Sequence, residues 1–294
     1  MHLRESVCVF YDGAFVHRQE VGIDLYTQSL HYGTALFEGI RSYQTHDGVF
    51  LMKAREHFAR LQAGATRLGM RLSYTVEEMV QIACRLLQKN NLTSAYIRPV
   101  LMSGPSLHLD PVQDSLLVMM AWRWVSAPAE QVMHLGISRR ERAGGDLAGL
   151  KLAANYPNAM LALAAAREQG YDDTILLDSE GYVAQLTGAN LFIEKNETLI
   201  TPPLETAFPG ITRHTVLELA QHLHIPVVER RIAPDELLDA DSAFTTSTLT
   251  GIRPVTAICH HPVRLRWEDS LGYLMHCQHQ HLVRTGGGYA GPVI

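Results

Sequence analysis

ALFEGIRSYQTHDGVFLMKAREHFARLQAGATRL, residues 35–68, changes its period halfway along. ALFEGIRSY (35–43) and GVFLM (48–52) have strand character and flank a turn at His46-Asp47-Gly48. Beyond them Phe58, Leu61, Ala65 and Leu68 recur at spacings of three and four, which predicts a helix over 53–68. VEEMVQIACRLLQKN (76–90) repeats that pattern, and SAYIRPVLMS (94–103) and SLLVMMAW (115–122) return to strand. Upstream, VCVFY (7–11) and AFVHR (14–18) flank Asp12-Gly13, a strong hairpin signal. Strands, then helices, then strands imply an α+β layout instead of an alternating βαβ one.

The 294 residues suffice for two ordinary domains. We expect an N-terminal α+β domain over 1–124, a Pro-containing linker at 125–131 (VSAPAEQ) and a C-terminal domain over 132–294. In the C-terminal part MHLGIS (133–138) reads as a strand and 142–149 as a loop. A helix is expected from about Asn155, as its cap, to Gln169, with Pro157 in the first turn. DTILL, GYVAQ, NLFIE and TLITP then read as an antiparallel meander, followed by a helix over 210–222, a strand over 225–230 and a short helix over 234–239.

With 47% apolar and 19% charged residues and a net charge of −5, the composition is that of a soluble globular protein without a basic footprint for nucleic acid. No apolar run approaches the roughly 18 residues that a membrane span needs, and the N-terminus has no secretory apolar core. Four scattered cysteines, Cys8, Cys84, Cys259 and Cys277, suggest free thiols and a cytoplasmic location.

Only four lysines occur. Lys53, Lys89 and Lys195 suit solvated positions. Lys151, in AGLKLAANY, sits among small and apolar residues, where desolvation makes an amine nucleophile suited to Schiff-base chemistry; snorkelling from a strand edge is the plainer reading. PGITRHT (209–215) and TTSTLTGI (245–252) could each hold an anion on exposed amides and hydroxyls, or could be simple caps. Glu38 and Arg41 read as an ordinary surface pair. Arg98, inside an apolar strand, requires an anionic partner, while Arg55 suits a salt bridge as well as a ligand. His276, His279 and His281 are spaced by three and two, which does not set them on one helical face and argues against a metal site. No dinucleotide-binding glycine motif and no Ser/His/Asp arrangement is visible.

HYGTALFEGIRSY (31–43), AREHFARL (54–61), NNLTSAYIRP (90–99), Lys151 with Asn155-Tyr156, and TPPLETAFPGITR (201–213) together resemble the branched-chain aminotransferases, which are fold-type-IV pyridoxal-phosphate enzymes. The resemblance runs from about residue 7 to 258. It implies two domains, a smaller N-terminal α/β sandwich and a larger barrel-like α/β domain, assembled as a homodimer or higher oligomer. It also implies pyridoxal 5′-phosphate as cofactor, with an amino acid and a 2-oxo acid as substrates. Lys151 matches the lysine that forms the Schiff base and shuttles the proton, Arg55 the phosphate-binding arginine, and Tyr156 the partner of the cofactor's phenolic oxygen. Ile211, Thr212, Ser247 and Thr248 match the phosphate cup. Phe37, Tyr96, Arg98 and Trp124 match the substrate pocket, and Tyr32 a residue that reaches the neighbouring subunit's site.

Three stretches depart from the family pattern. GYVAQLTGANLF (181–192) has Gln185 where the family has the glutamate that protonates the pyridine nitrogen, and Ala189 where it has a second glutamate. Gln185 can hydrogen-bond that nitrogen but brings no charge, a loss of about 1.5–3 kcal/mol in preference for the protonated ring. AGGDLAGL (143–150) lacks the family's prolines, and HHPVRLRWEDS (260–270) lacks its glycine-rich segment. The expected activity is transamination of a hydrophobic or specialised amino acid. A lyase or β/γ-replacement reaction on the same cofactor, or a non-enzymatic cofactor-binding homologue, are the alternatives.

Overall fold

Asp12 and Gly13 take φ of 38° and 100°, the pair of positive values that a two-residue hairpin turn needs, so β1 (Cys8–Tyr11) folds straight back as β2 (Ala14–His17). The structure, a computed structural model, describes residues 7–110, 114–124, 132–142 and 144–286. The linker expected at 125–131 lies outside them. By its internal contacts the chain forms two units. The first holds the described residues up to 124, Leu150–Ala154 and those from Leu282 onward; the second holds the rest.

In the first unit β1 and β2 are followed by α1 (Gln28–Tyr32), β3 (Leu36–Phe37), β4 (Ile40–Thr45), β5 (Gly48–Leu51), α2 (Ala54–Arg67), α3 (Val76–Lys89), β6 (Ala95–Ser103) and β7 (Ser115–Arg123). The strands form an antiparallel sheet in the order β2-β1-β7-β6-β4-β5, with β3 also on β6. Because side chains alternate along a strand, Ile40, Ile97 and Ala121 face one side and pack with Phe58 and Leu61 of α2 and Met79 and Leu86 of α3. The opposite side carries Arg41, Tyr96 and Trp122, directly paired across β4, β6 and β7, with Arg98 two residues along β6.

β5 runs almost directly into α2, and the joining residue, Lys53, is held at φ 49°. Lys53 is buried there, with its Nζ 3.7 Å from Glu56 Oε1, so the solvated position expected for it is corrected. Lys89 is exposed as expected, over the Phe15 ring, whereas Lys195 is half-buried and donates to the Asp239 carbonyl.

The second unit comprises β8 (Met133–Glu141), α4 (Tyr156–Glu168), β9 (Asp173–Leu177), β10 (Val183–Leu186), β11 (Asn190–Lys195), β12 (Thr198–Thr201), α5 (Ile211–His222), β13 (Val227–Glu229), α6 (Pro234–Leu238), β14 (Ser242–Ser247), β15 (Gly251–Ile258), β16 (His261–Pro262) and most of α7 (Leu271–Thr285). Its strands follow the order β10-β9-β8-β15-β14-β11-β12-β13, with β16 on β15. The expected four-strand meander is therefore only two hairpins. β9 pairs β10 and β11 pairs β12, but β8, β15 and β14 lie between them in the ladder. Helices α4 and α5 each link parallel neighbours, β8 with β9 and β12 with β13, so the unit mixes βαβ crossings with hairpins.

The unbroken C-terminal domain expected over 132–294 gives up two pieces to the first unit. Leu152 pairs with Leu36, and Ala153 N–H donates to the Ala35 carbonyl at 2.8 Å. Leu282 and Val283, in the last turn of α7, pack on Phe50 and Met52.

Candidate active site

The pairing of Leu152 with Leu36 sets Lys151 beside Phe37, whose N–H donates to the Lys151 carbonyl at 3.1 Å. Lys151 Nζ lies 5.1 Å from the centre of the Phe37 ring, and the Arg98 guanidinium carbon lies 4.7 Å from the same centre. Arg98 donates to Tyr96 Oη at 3.2 Å, while its Nε is buried without an acceptor. No carboxylate among the described residues lies within ion-pair distance of it, so the anionic partner expected for Arg98 does not come from them. The Tyr96 ring stands 5.1 Å from Trp122 and 5.9 Å from Trp124, and both indole N–H groups are buried without an acceptor. This face of the first unit thus gathers Phe37, Tyr96, Arg98, Trp124 and Lys151. Tyr32 stays on exposed α1, its hydroxyl donating to the Leu107 carbonyl.

Glu38 and Arg41 do not pair. Glu38, between β3 and β4, reaches Arg60 and His57 of α2, whereas Arg41, on β4, lies on the other side of the sheet with Tyr96. Arg41 is buried over the Tyr43 ring and near Trp124, and burial pushes its pKa down. Glu38, with no exposed surface, accepts from Arg60 Nε at 2.6 Å, Arg60 Nη2 at 2.8 Å and His57 Nδ1 at 2.7 Å. Burial opposes its charge, but the Arg60 guanidinium and these hydrogen bonds prevail and hold the carboxyl at about 2. Burial pushes His57 the other way, toward the neutral form, aided by the charges of Arg60 and Lys151. The sequence reading missed this cluster. Its signal was a glutamate inside FEGIR and a His-x-x-Arg on the inward side of a predicted helix.

Arg55 is the residue that the family resemblance sets at the cofactor's phosphate. It projects from the outer side of α2, well exposed, and donates to Glu77 of α3 at 3.3 Å. Five residues turn a helix through more than a third of a circle beyond one full turn, so the inward guanidinium of α2 is that of Arg60.

In the second unit Tyr156 opens α4, half-buried beside Arg142, whose pKa burial lowers and the Tyr156 charge raises. Asn155 stands at the cap position but does not cap. Its own backbone is helical, and its side chain donates to the Leu147 carbonyl at 3.0 Å. Gln185, half-buried on β10, accepts through Oε1 from Phe208 N–H at 2.8 Å. Asn190, buried at the start of β11, donates to the Phe208 carbonyl at 2.9 Å. Thr187 donates to Asp173 at 2.7 Å. The neutral residues of 181–192 therefore tie down a neighbouring strand and the loop that leads into α5.

That loop delivers Gly210 as N-cap and Ile211 and Thr212 as the first turn of α5, with no side-chain cap and no acidic residue there. Asn190 pairs with Thr246 across β11 and β14, which brings the end of β14 alongside. Ser247 there bonds the Thr250 hydroxyl at 2.7 Å and accepts its N–H, closing a tight turn that contains Thr248. His276 and His279 are buried on α7, with His276 Nδ1 3.1 Å from the Ile252 carbonyl.

The model of the amino-transferase class IV family matches residues 35–258. A branched-chain-amino-acid aminotransferase of Pseudomonas aeruginosa is 33% identical over 259 residues, which are 85% of this chain and 84% of that one. The crystal structure of the Escherichia coli branched-chain amino acid aminotransferase matches with a TM-score of 0.90 at 29% identity, covering 97% of this chain and 98% of that one. The branched-chain aminotransferase of the thermophilic archaeon Thermoproteus uzoniensis, crystallised with norvaline, gives a TM-score of 0.90 at 30% identity over 97% and 96% of the two chains. By the match of its sequence over most of its length, this chain belongs to the class IV aminotransferases, the fold-type-IV family that includes the branched-chain aminotransferases.

Proposed function

We propose that the protein moves the amino group of a hydrophobic, branched-chain-like amino acid to a 2-oxo acid, with Lys151 as its catalytic amine. Class IV aminotransferases use pyridoxal 5′-phosphate. One observation carries the reading: a single phenyl ring, that of Phe37, lies against both the Lys151 amine and the Arg98 guanidinium. A substrate carboxylate on Arg98 would meet the donor that the described residues leave unanswered. The aromatic surface of Phe37, Tyr96 and Trp124 suits an aliphatic side chain.

The second unit's residues fit the cofactor. An uncapped helix start without acidic residues, with hydroxyls at Thr212, Ser247 and Thr248 and the Ile211 amide, suits a phosphate dianion. Tyr156 would position the phenolic oxygen, and the Gln185 amide would meet the ring nitrogen. When bound, the cofactor supplies the carbonyl that exchanges with the amino group and a ring that withdraws electrons from Cα. Lys151 Nζ takes the Cα proton and returns it to complete each half-reaction, in ping-pong order. Arg98 fixes the carboxylate so that the Cα–H bond stays aimed at the amine.

We place the working form as a homodimer in the cytoplasm. Support for the dimer comes from the apolar surface around α1. None of the four cysteines is in a disulfide, which suits a reducing compartment, and burial pushes the Cys84 thiol up to about 11, which leaves it unreactive.

The test is a panel of amino donors mixed with the cofactor-loaded protein. Leucine, isoleucine and valine should convert the cofactor to its aminated form, as read by its visible spectrum, and Lys151→Ala should abolish the change. Failure of every donor would overturn the proposal, and release of ammonia from β-substituted amino acids would point to the lyase alternative.

A further inference from the structure

We infer that Gln185 can offer the cofactor only the NH2 of its amide, so that the pyridine nitrogen is held unprotonated, as an acceptor. This rests on the reading above that Gln185 is that nitrogen's partner.

The orientation of the amide is fixed by a neighbour that cannot change its role. A main-chain N–H only donates, so the atom that receives Phe208 N–H at 2.8 Å must be the carbonyl oxygen of Gln185. Phe208 is also held through its carbonyl, in the next peptide unit, which accepts from Asn190 Nδ2 at 2.9 Å and from Gly210 N–H at 2.8 Å. Asn190 is buried and wedged against Gly210, where an added Cβ would come within 2.0 Å of the Asn190 Oδ1. These contacts hold the backbone on the carbonyl side of Phe208, while its N–H is aimed at Gln185. The strand under Gln185 is held as well, by its pairing with Leu176 and by the Thr187–Asp173 hydrogen bond. Rotating the Gln185 amide by half a turn would set NH2 against N–H, two donors face to face.

What remains is Gln185 Nε2, which has no acceptor among the described residues. A protonated ring nitrogen is itself a donor and cannot satisfy it. The lone pair of a neutral pyridine can. A carboxylate at this position would also keep one oxygen on Phe208 N–H, but its second oxygen would accept from a pyridinium. The amide thus has the shape of the carboxylate and the opposite hydrogen-bond polarity at the one atom that would be left for the ring. No acidic residue occurs within 181–192 to restore the charge, and Asp173 beside it is engaged by Thr187.

The experiment is 15N NMR of the holoenzyme reconstituted with cofactor labelled at the ring nitrogen, at neutral pH. The native protein should give a neutral-pyridine resonance, and Gln185→Glu should move it into the pyridinium range. A pyridinium resonance in the native protein that still moves on Gln185→Glu would overturn the inferred polarity while keeping Gln185 as the partner. A resonance that ignores the substitution would remove Gln185 from that position and sink both. The native spectrum decides the protonation state without any variant, so poor folding of Gln185→Glu leaves the inference open to refutation.

Discussion

Glu38 is ionised where no water reaches it. Two donors of Arg60 and one of His57 occupy its oxygens and hold its pKa near 2, while burial keeps His57 neutral, so the cluster carries one carboxylate and one guanidinium. The folded value lies below the unfolded one of about 4.3. The stabilisation is therefore fully present above the unfolded value and is lost as pH falls from there toward 2, with a size of about 3 kcal/mol. Glu38→Gln should lower stability at neutral pH by that order, and denaturant melts should show the gap from the native protein closing on acidification through this window. A gap that stays constant would mean that Glu38 is not charged in the folded state. Arg98 supports a second prediction at this scale. Losing a charged hydrogen-bond donor to a carboxylate costs about 1.5–3 kcal/mol, so Arg98→Gln should reduce kcat/KM by about 10- to 100-fold. Arg98→Lys should restore only part of it, because an ammonium lacks the planar fork. Unchanged kinetics in Arg98→Gln would exclude carboxylate binding there.

At the scale of elements, the start of α5 depends on side chains from two other strands. Gln185 takes the N–H of Phe208 and Asn190 donates to its carbonyl, on successive peptide units, and Asn190 fills the space beside Gly210. Asn190→Ala removes one of the donors to the Phe208 carbonyl, which also accepts from Gly210 N–H, and loosens the turn that aims the Ile211 and Thr212 amides. At about 1 kcal/mol for one hydrogen bond, the expected result is roughly a fivefold weaker retention of cofactor, measured by dialysis against a competing apoenzyme. Equal retention would mean that the turn holds its shape without Asn190. The sequence disclosed the helices α2, α3 and α5 and the Asp12-Gly13 hairpin, since spacing and turn residues are local signals. It did not disclose the task of the neutral residues in 181–192, because their partner Phe208 lies 18 residues beyond Asn190 and 23 beyond Gln185. The meander failed for a related reason. Hairpin signals identify β9 with β10 and β11 with β12, but nothing local reveals that β8, β15 and β14 come between them. Nothing local marks Arg60 as the arginine of α2 that reaches Glu38 and Arg55 as the exposed one, because that depends on their positions around the helix.

For the whole molecule, the first unit leaves an apolar surface that solvent does not favour. Leu30 on α1 is 62% exposed and Leu109 is 81% exposed, with Leu25, Tyr26 and Leu107 nearby in the same state. These residues belong to one surface, since Gln28 donates to the His108 and Asp110 carbonyls, Tyr32 to the Leu107 carbonyl, and Ser106 N–H to the Tyr26 carbonyl. The hydrogen bonds fix the backbone while the leucines point outward, which is the pattern of a preformed interface instead of a loose loop. A second copy of the chain is the partner that fits the homodimer proposed above. Sedimentation of the native protein should give twice the chain mass. The double substitution Leu30→Glu with Leu109→Glu should give the single mass, because a charge pair of the same sign repeated across a two-fold axis faces its own image. If Tyr32 also serves the neighbouring copy, the dissociated variant should lose activity while keeping its fold, as read by far-UV circular dichroism. A native protein that sediments as a monomer would remove both the interface and the role of Tyr32, and the exposed leucines would then require a different partner.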